Sequence, residues 1–392
     1  MPDTDLVIVG SGPAGVATAL HLVQRDPSWA ARLVILEKSR HPRPKVCGGG
    51  ITRFGLNQLR RLGLRLQVPH VTVAQASLEY RGQRVSVRGR PMMATVHRPE
   101  FDAWLADQAR ARGIRLLEGH AVEGLESDSE GVSVLTSQGT WRAAAVVGAD
   151  GSASLVRRWL GGQRTVTHRT RLLELVHPAS GQEHPFTERT ARFLFDDLRR
   201  GLHGYYWEFP CLVGGQPHLN AGVYDARLDG SQPRPGLADL LRAHLKTTRQ
   251  ATPRLRSAPL HLFSPFARLA RPRALLVGDA AGADPLFGEG IGVGMGYAEV
   301  AAEYILQAFR RGDLSFRGYR RRILASPVGK YLLFRYLLAE GCYTWSGSDL
   351  FVRSFWVLLW LVASALGNLP PIADVLPASL PSEPVASQRA SS

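Results

Sequence analysis

Three glycines close to the N terminus have the spacing of a loop that binds the pyrophosphate of a dinucleotide. Gly10 permits a tight turn, Gly12 lets the backbone approach the phosphates, and Gly15 lets the following helix pack closely on its strand. The anion then lies at the N terminus of that helix, where free N–H groups and the helix dipole stabilise negative charge. We therefore expect the loop from Gly10 to Gly15, which includes Pro13 and Ala14, to bind a dinucleotide cofactor.

An acidic residue follows the loop at the place expected to bind an adenosine ribose. Glu37 ends the second apolar strand, where its carboxylate can accept hydrogen bonds from ribose hydroxyls, and Lys38 comes directly after it. The spacing is slightly longer than usual because residues 26–31 lengthen the connection from helix to strand. Glu37 and Lys38 are therefore predicted to bind the cofactor, and a glycine turn without nucleotide is the weaker interpretation.

A late glycine-rich segment favours one dinucleotide over another. Asp279 follows a buried strand, and Gly288, Gly290 and Ile291 lie at the start of a predicted helix at about 290–310. A carboxylate there can bind ribityl hydroxyls, and the helix N terminus can stabilise negative charge on the pyrimidine side of a reduced flavin. The run 290–294 imitates a second dinucleotide loop, but no strand leads directly into it. We therefore predict that the cofactor is FAD and that these four residues bind it.

Taken in order, the motifs resemble a known group of flavoproteins. The glycine loop, a central Asp-Gly pair at 150–151 and a late Gly-Asp pair at 278–279 are similar to those of the FAD oxidoreductases related to para-hydroxybenzoate hydroxylase. This resemblance implies a Rossmann-type FAD-binding domain. It also implies that Arg98, which opens a predicted helix at about 99–112, contacts the FAD pyrophosphate.

Cys47 is followed by three glycines, at 48–50, soon after the strand that carries Glu37. Consecutive glycines let the backbone pass close to a flat ring, so Gly48 and Gly49 are predicted to lie beside the cofactor. A thiol near a flavin could donate a proton or line the substrate face, and it is an acid only if its pKa is lowered from about 8.5. A small residue that packs beside the cofactor is the alternative interpretation.

Aromatic residues alternate along one predicted strand, where Tyr205, Trp207 and Phe209 share a face and Pro210 follows. An aromatic strand face is most often part of a core. This Tyr-x-Trp-x-Phe-Pro segment, together with the earlier Cys-Gly-Gly, resembles the geranylgeranyl reductase family. The resemblance implies that Tyr205, Trp207 and Phe209 line a hydrophobic substrate cavity, and that Cys47 is a catalytic residue near the reacting carbons.

The same resemblance implies reduction of C=C bonds in a prenyl or other hydrophobic polyene, by a hydride from N5 of the reduced flavin plus a proton. An isolated alkene is a poor electrophile, so such a site must exclude water and fix the geometry. No separate NAD(P)H domain is evident in the sequence. The electron donor, NAD(P)H or a ferredoxin-like protein, therefore stays open.

Two other classes of function use the same scaffold. The first alternative is a flavin-dependent monooxygenase or halogenase that acts on a hydrophobic or aromatic substrate. Halogenases of this type carry a Trp-x-Trp-x-Ile-Pro segment, which the run at 205–207 does not match. A flavoprotein that binds without turnover is the third class, and the intact FAD motifs argue against it.

The elements that must position these residues begin as alternating apolar strands and helices, the pattern of a parallel βαβ sheet. Further β-like runs at 191–195, 204–209 and 218–224 predict an antiparallel sheet, with one helix at 236–247. We predict an α/β protein with a Rossmann-type FAD-binding domain, an antiparallel substrate-binding domain and a C-terminal helical region. The predicted ranges are 1–75, 95–165 and 266–325 for the FAD-binding domain, 76–94 and 166–265 for the substrate domain, 326–380 for the helical region and 381–392 for a disordered tail.

Charge and cysteine content limit the partners. The chain has 48 Lys and Arg against 33 Asp and Glu, a net charge of +15, which favours anionic partners, although a merely solvated arginine-rich surface is the alternative. No nucleic-acid motif accompanies this charge, so we expect no nucleic-acid partner. The three cysteines are scattered and lack metal-ligand spacing, which predicts a reducing compartment and no metal site. No secretory signal is recognisable, which predicts a cytoplasmic protein.

An uncharged apolar run at 355–366 is shorter than the ~20 residues that a helix needs to cross a bilayer. Trp356 and Trp360 lie one helical turn apart, and basic residues at 317–322, Arg335 and Arg353 could face acidic lipid. The first interpretation is a buried helix over the substrate tunnel, the second is peripheral membrane contact, and a true membrane span is the weakest. The second predicts co-sedimentation with anionic liposomes at low salt.

Overall fold

The apolar run at residues 6–9 forms the centre of a parallel sheet in a computed structural model, which describes residues 3–161, 170–227, 236–246 and 255–367. The strands are, in chain order, β1 (Thr4–Val9), β2 (Leu33–Glu37), β3 (Gly50–Thr52), β4 (His70–Tyr80), β5 (Gln83–Val96), β6 (Arg115–Glu118), β7 (Val122–Ser127), β8 (Val132–Thr136), β9 (Gly139–Gly148), β10 (Arg171–Pro178), β11 (Thr190–Leu194), β12 (Gly204–Val213), β13 (Gln216–Asp225), β14 (Arg256–Pro259), β15 (Ala270–Arg271) and β16 (Ala274–Leu276). The helices are α1 (Pro13–Arg25), α2 (Trp29–Arg32), α3 (Arg53–Arg61), α4 (Arg98–Arg110), α5 (Leu155–Trp159), α6 (His184–Thr187), α7 (Leu237–His244), α8 (Ile291–Arg311), α9 (Tyr319–Ala325), α10 (Pro327–Thr344) and α11 (Asp349–Gly367).

The first sheet has the strand order β15-β16-β9-β1-β2-β6, and β8 and β7 continue it from the N-terminal half of β9. Strands β16, β9, β1, β2 and β6 are parallel to one another. Leu6, Val7 and Ile8 of β1 are fully buried, because elements cover both faces of the sheet. This sheet and helices α1 and α8 form the largest hydrophobic core of the described residues.

Small residues bring the N termini of α1 and α8 together above the end of the sheet. A Cβ added to Gly278, where φ is +61°, would lie 2.6 Å from the Cβ of Ala14, and one added to Gly294 would lie 3.2 Å from it. Larger side chains would separate the two helices. The sequence therefore places two helix N termini and the Gly278 turn side by side.

The second sheet has the strand order β14-β10-β13-β12-β11-β4-β5-β3. It is antiparallel, as predicted, except between β11 and β4, which are parallel. The predicted α/β class, with a parallel Rossmann-type sheet, a second sheet and C-terminal helices, is confirmed.

The segment 76–94, predicted to be the first part of the substrate domain, is shorter than the two strands it contains, because β4 and β5 together extend from His70 to Val96. A register shift between Val73 and Gln75 interrupts the alternation of the side chains along β4, so the sequence pattern does not show where this strand begins. The predicted divisions at 75 and 95 therefore cut through β4 and β5, and β3 also pairs with β5.

Helices α10 and α11 occupy the predicted C-terminal helical region up to Gly367, while 368–380 and the predicted tail at 381–392 lie outside the described residues. Helix α11 packs on β5, and Trp356 is stacked on Tyr80 with ring centroids 5.7 Å apart. Leu350 and Leu358 on the same helix are largely exposed. Within the described ranges, no helix combines the length and the hydropathy needed to cross a membrane.

Candidate functional site

A cavity of about 730 Å³ is lined by residues of both sheets and of the loops that follow their strands. It brings together all the residues predicted to bind cofactor or substrate except Gly15. Those lining residues are Gly10, Gly12, Pro13, Ala14, Glu37, Lys38, Cys47, Gly48, Gly49, Arg98, Tyr205, Trp207, Phe209, Asp279, Gly288, Gly290 and Ile291. Residues as far apart in the sequence as Gly10 and Ile291, which are separated by 281 positions, thus line the same cavity.

The glycine loop adopts the backbone that a phosphate cradle requires. Gly10 has a φ of +102°, and a Cβ there would lie 2.5 Å from the carbonyl oxygen of Ala149. A Cβ at Gly15 would lie 2.0 Å from the carbonyl oxygen of Gly10, so Gly15 permits packing rather than lining the cavity. Gly12 is the N-cap of α1 and faces open space, with only Arg43 Nη2 within 4 Å, at 3.8 Å. The free N–H groups of α1 therefore face a cavity that an anion can enter.

Glu37 is buried and holds the glycine loop. Its carboxylate accepts hydrogen bonds from the backbone N–H and hydroxyl of Ser11, at 3.0 and 2.8 Å, and from the N–H of Ser39, at 3.0 Å. Burial alone would raise the pKa of Glu37, but the Arg43 guanidinium and these donors outweigh burial and lower it. The carboxylate is thus ionised and lines the cavity, where its predicted contact with ribose hydroxyls stays a prediction.

Arg43 was not singled out by the sequence, yet it lies on the cavity lining between two buried acidic residues, Glu37 and Asp102. Its guanidinium is 3.5 Å from Glu37 and 3.4 Å from Asp102. Its buried Nε has no hydrogen-bond partner among the described residues. The residue belongs to a proline-rich loop without periodicity, so only its charge could have identified it. Arg43 provides a cation beside Gly12, where an anionic group of a dinucleotide would fit.

Arg98 opens α4 as predicted and makes a bidentate ion pair with Asp102, at 2.9 and 3.0 Å. Burial would lower the pKa of Arg98, but the Asp102 carboxylate and the adjacent Cys47 side chain outweigh burial and raise the pKa above its usual value. Arg98 therefore remains a cation on the cavity wall beside Cys47. Its predicted contact with the pyrophosphate stays a prediction.

Another part of the cavity lining combines a carboxylate with a second helix N terminus. Asp279 lies on a 3₁₀ turn, Gly278–Ala280, with Lys45 Nζ 3.7 Å and Ser152 Oγ 3.5 Å from its carboxylate. A Cβ at Gly290 would lie 2.7 Å from Asp279 Oδ1, so glycine is needed at the entry to α8. Two helix N termini and the carboxylates of Glu37 and Asp279 in one cavity lining fit a dinucleotide such as FAD.

The three aromatic residues of β12 form one apolar wall. Tyr205, Trp207 and Phe209 are all buried and lie in one hydrophobic cluster, with Phe193 between Tyr205 and Phe209 at centroid distances of 5.2 and 5.1 Å. The Tyr205 hydroxyl donates to the carbonyl oxygen of Phe287 at 2.5 Å. Trp207 Nε1 donates to an asparagine side chain at 2.8 Å. Because these polar atoms are satisfied within the protein, the rings offer apolar surface to the cavity.

The glycines that follow Cys47 lie against this aromatic wall. A Cβ at Gly48 would be 2.9 Å from the ring of Phe209 and 3.2 Å from Trp207 Nε1. The N–H of Gly49 donates to Cys47 Sγ at 3.4 Å. The two motifs that carried the family resemblance are therefore in contact, although 157 positions separate Gly48 from Tyr205.

A polar cluster that the sequence did not predict completes the wall beside α8 and α10. Glu289 accepts hydrogen bonds from Thr52 Oγ1 at 2.7 Å and from the Tyr331 hydroxyl at 2.8 Å. Arg335 donates to that hydroxyl at 2.8 Å and lies 3.7 Å from the buried Asp284. Burial raises the pKa of Glu289. Helix α10 thus contributes to the cavity, and its nearly featureless apolar pattern gave no sign of this.

Comparison with known proteins identifies relatives along most of the chain. The family model described as FAD binding domain matches residues 3–199. A menaquinone reductase of Mycolicibacterium smegmatis is 29% identical over 326 residues, covering 76% of this chain and 75% of the relative. A digeranylgeranylglycerophospholipid reductase of Methanothrix thermoacetophila is 27% identical over 381 residues, covering 88% and 89%.

Solved structures share the fold at lower identity. A geranylgeranyl bacteriochlorophyll reductase-like protein from Thermoplasma acidophilum has a TM-score of 0.66 and 19% identity, covering 93% of this chain and 88% of that one. The halogenase PltM has a TM-score of 0.68 and 17% identity, covering 93% and 80%. Since reductase-like and halogenase structures match equally well, the fold alone does not distinguish between their reactions.

Proposed function

This chain belongs to the FAD binding domain family, and we propose that it is an FAD-dependent reductase that saturates C=C bonds of a prenyl or other hydrophobic polyene. Family membership confirms the assignment, made from the motifs, to the FAD oxidoreductases related to para-hydroxybenzoate hydroxylase. FAD is the cofactor that the family description names. The isoprenoid substrate and the direction of the reaction are the proposal.

The observation that carries the proposal is the apolar wall beside Cys47. Tyr205 and Trp207 direct their polar atoms to protein acceptors, so a ligand on this wall meets ring faces and no free donor from either side chain. Phe209 packs against Gly48 in the same wall. A hydrocarbon chain gains from burial here, whereas a polar substrate would lose hydrogen bonds with water.

The relatives add a second line of support. Menaquinone and digeranylgeranylglycerophospholipid, the molecules in the names of the two relatives, both carry isoprenoid chains. An elongated apolar surface on β12 suits the repeated methyl-branched units of such a chain. We therefore infer an isoprenoid chain as the substrate class, presented to the cavity with its double bond near Cys47.

The residues of the site divide the chemistry between them. Reduced FAD supplies a hydride when it is bound. The loop at Gly10–Gly15, with Arg43 and Asp279, holds and orients the dinucleotide, while the aromatic wall excludes water from the alkene. Saturation also needs a proton on the second alkene carbon. We assign that proton to the Cys47 thiol, whose thiolate lies beside Arg98 and regains a proton from solvent.

The test is an anaerobic incubation of the chemically reduced protein with geranylgeranyl-type lipids, followed by mass analysis. The expected product has gained two hydrogens for each bond reduced. Turnover that requires O₂ and incorporates oxygen or halide would reject the reductase and favour the monooxygenase or halogenase alternative.

Serine variants of two free cysteines, Cys47 and Cys342, test the role of Cys47. Cys47→Ser is expected to lower turnover by at least about tenfold, since an alcohol is a far weaker acid than a thiol. Cys342→Ser on α10, which does not line the cavity, is expected to behave as the wild type. Wild-type turnover in Cys47→Ser would show that Cys47 only packs beside the cofactor.

A further inference from the structure

Two buried polar side chains hold the Cys47 peptide from the second sheet. The backbone N–H of Cys47 donates to Glu174 Oε2 at 2.9 Å, and Asn220 Nδ2 donates to the backbone oxygen of Cys47 at 2.9 Å. Glu174 is 6% exposed and Asn220 is 2% exposed. Both backbone polar groups of Cys47, on either side of its Cα, are thus bound by side chains rather than by a neighbouring strand.

The strand register explains how the two side chains reach the backbone of the same residue. Strands β10 and β13 pair Glu174 with Gly222 and Val176 with Asn220, so Glu174 and Asn220 are diagonal neighbours on one face. Asn220 Nδ2 also lies 3.4 Å from Glu174 Oε1. The sheet therefore presents an acceptor and a donor at a fixed separation.

Trp207 belongs to the same hydrogen-bond network. Its Nε1 donates to Asn220 Oδ1 at 2.8 Å, and its ring lies over Gly222, where a Cβ would be 2.1 Å from Trp207 Cζ2. Because Gly222 has no side chain, the indole crosses the sheet surface to reach Asn220. The aromatic wall and the Cys47 loop are thus connected through Asn220.

A carboxyl in this position is costly, which argues against a purely structural role. Burial raises the pKa of Glu174 to about 7, although the Cys47 N–H and the charges of Arg256 and Arg98 oppose that rise. An apolar side chain would fill a sheet interior without this penalty. The position is explained if the acceptor is needed for the loop.

We propose that Glu174 and Asn220 are positioning residues, which bind the N–H and the C=O of Cys47 and so fix its thiol on the cavity wall beside Arg98. This inference rests on the proposed function for the use of the thiol, but the positioning itself is independent of any substrate. Neither residue touches the reacting atoms, and both act through Cys47.

The test is the rate at which iodoacetamide alkylates Cys47 in the FAD-loaded protein, measured on the Cys47 peptide by mass spectrometry so that Cys211 and Cys342 do not interfere. Glu174→Ala and Asn220→Ala each remove a hydrogen bond that holds the loop. The rate is expected to rise at least about tenfold in both, as the thiol becomes mobile. Glu174→Gln keeps an acceptor for the Cys47 N–H and is expected to stay within about threefold of the wild type.

A strand variant controls for general loosening of the sheet. Leu173 lies next to Glu174 on β10, but its side chain belongs to a hydrophobic cluster other than that of the aromatic wall. Leu173→Val is therefore expected to leave the alkylation rate of Cys47 unchanged. Wild-type rates in both alanine variants, with FAD still bound, would overturn the proposal, as would a rise in Leu173→Val equal to theirs.

Turnover on a polyprenyl lipid separates this inference from the proposed function. If both are right, Glu174→Ala and Asn220→Ala lower kcat more than they raise KM, and Glu174→Gln restores kcat. If alkylation responds as expected while the wild type fails to reduce any polyprenyl lipid, the positioning stands and the proposed function falls.

Discussion

Gly12→Ala should separate cofactor binding from folding. Gly12 has φ −68° and ψ 176°, a conformation that alanine adopts without strain, and a Cβ there meets only Arg43 Nη2, at 3.8 Å. The substitution is therefore expected to leave the apoprotein as stable as the wild type, or to stabilise it by about 0.4–1 kcal/mol through the unfolded chain. The added methyl group nevertheless projects into the cavity where the pyrophosphate is predicted to lie.

The expected loss is in FAD affinity. If the methyl group displaces the phosphate from one backbone donor, the cost is that of a hydrogen bond to a charged group, about 1.5–3 kcal/mol. This corresponds to an increase of roughly 10- to 150-fold in the Kd for FAD. The assay is a titration of the apoprotein with FAD, followed by flavin fluorescence, together with thermal unfolding of the apoprotein.

Gly63→Ala provides the opposite control. Gly63 has a φ of +69° with nothing within 4 Å of its virtual Cβ, so alanine is strained there but obstructs nothing. It is expected to destabilise the apoprotein by about 1–2 kcal/mol and to leave the Kd for FAD unchanged. A wild-type Kd in Gly12→Ala would refute the placement of the pyrophosphate against this backbone.

Three further predictions concern the substrate wall, the buried carboxyl and the exposed C-terminal helix. In Gly48→Ala the added Cβ would lie 2.9 Å from the Phe209 ring, which should raise KM for a polyprenyl substrate at least about tenfold. An unchanged KM would contradict the contact between the Cys47 loop and the aromatic wall. Burial raises the pKa of Glu174 from its usual 4.5 to about 7, so the wild type should lose stability as pH rises through this interval. The free energy of unfolding of Glu174→Gln, relative to that of the wild type, should therefore increase by about 3 kcal/mol between about pH 4 and pH 8. The same difference in free energy at both pH values, measured by urea unfolding, would contradict this. Leu350 and Leu358 are 78% and 58% exposed on α11. The wild type should therefore co-sediment with anionic vesicles at low salt, and the double variant Leu350→Glu/Leu358→Glu should not. Equal sedimentation of the wild type and the double variant would exclude the exposed face of α11 as a membrane contact.

The parts of the site that could be predicted from the sequence are those with local signals. Gly10 and Gly12 follow an apolar strand directly, and Asp279 follows another, so each is placed by its own strand end. The alternation of Tyr205, Trp207 and Phe209 likewise needs only the geometry of one strand. Nearly all the residues identified by these signals line one cavity of the structure.

The parts that could not be predicted depend on contacts between distant segments. Glu174 and Asn220 bind Cys47 across 127 and 173 positions, and neither belongs to a recognisable motif. Arg43 lies in a loop without periodicity, and Arg335 reaches the cavity only because α10 packs over Asp284. Alternation along β4 stops at the bulge near Val73, which hid the start of the strand.

The most direct test of the central claim counts electrons and double bonds in one anaerobic turnover. The protein is loaded with FAD, reduced chemically and mixed with a geranylgeranyl-type lipid, while flavin absorbance and product mass are followed together. We predict that the flavin is reoxidised without O₂ and that one double bond is lost for each flavin reoxidised. Flavin that stays reduced until O₂ is admitted, with oxygen or halide then found in the product, would contradict the account.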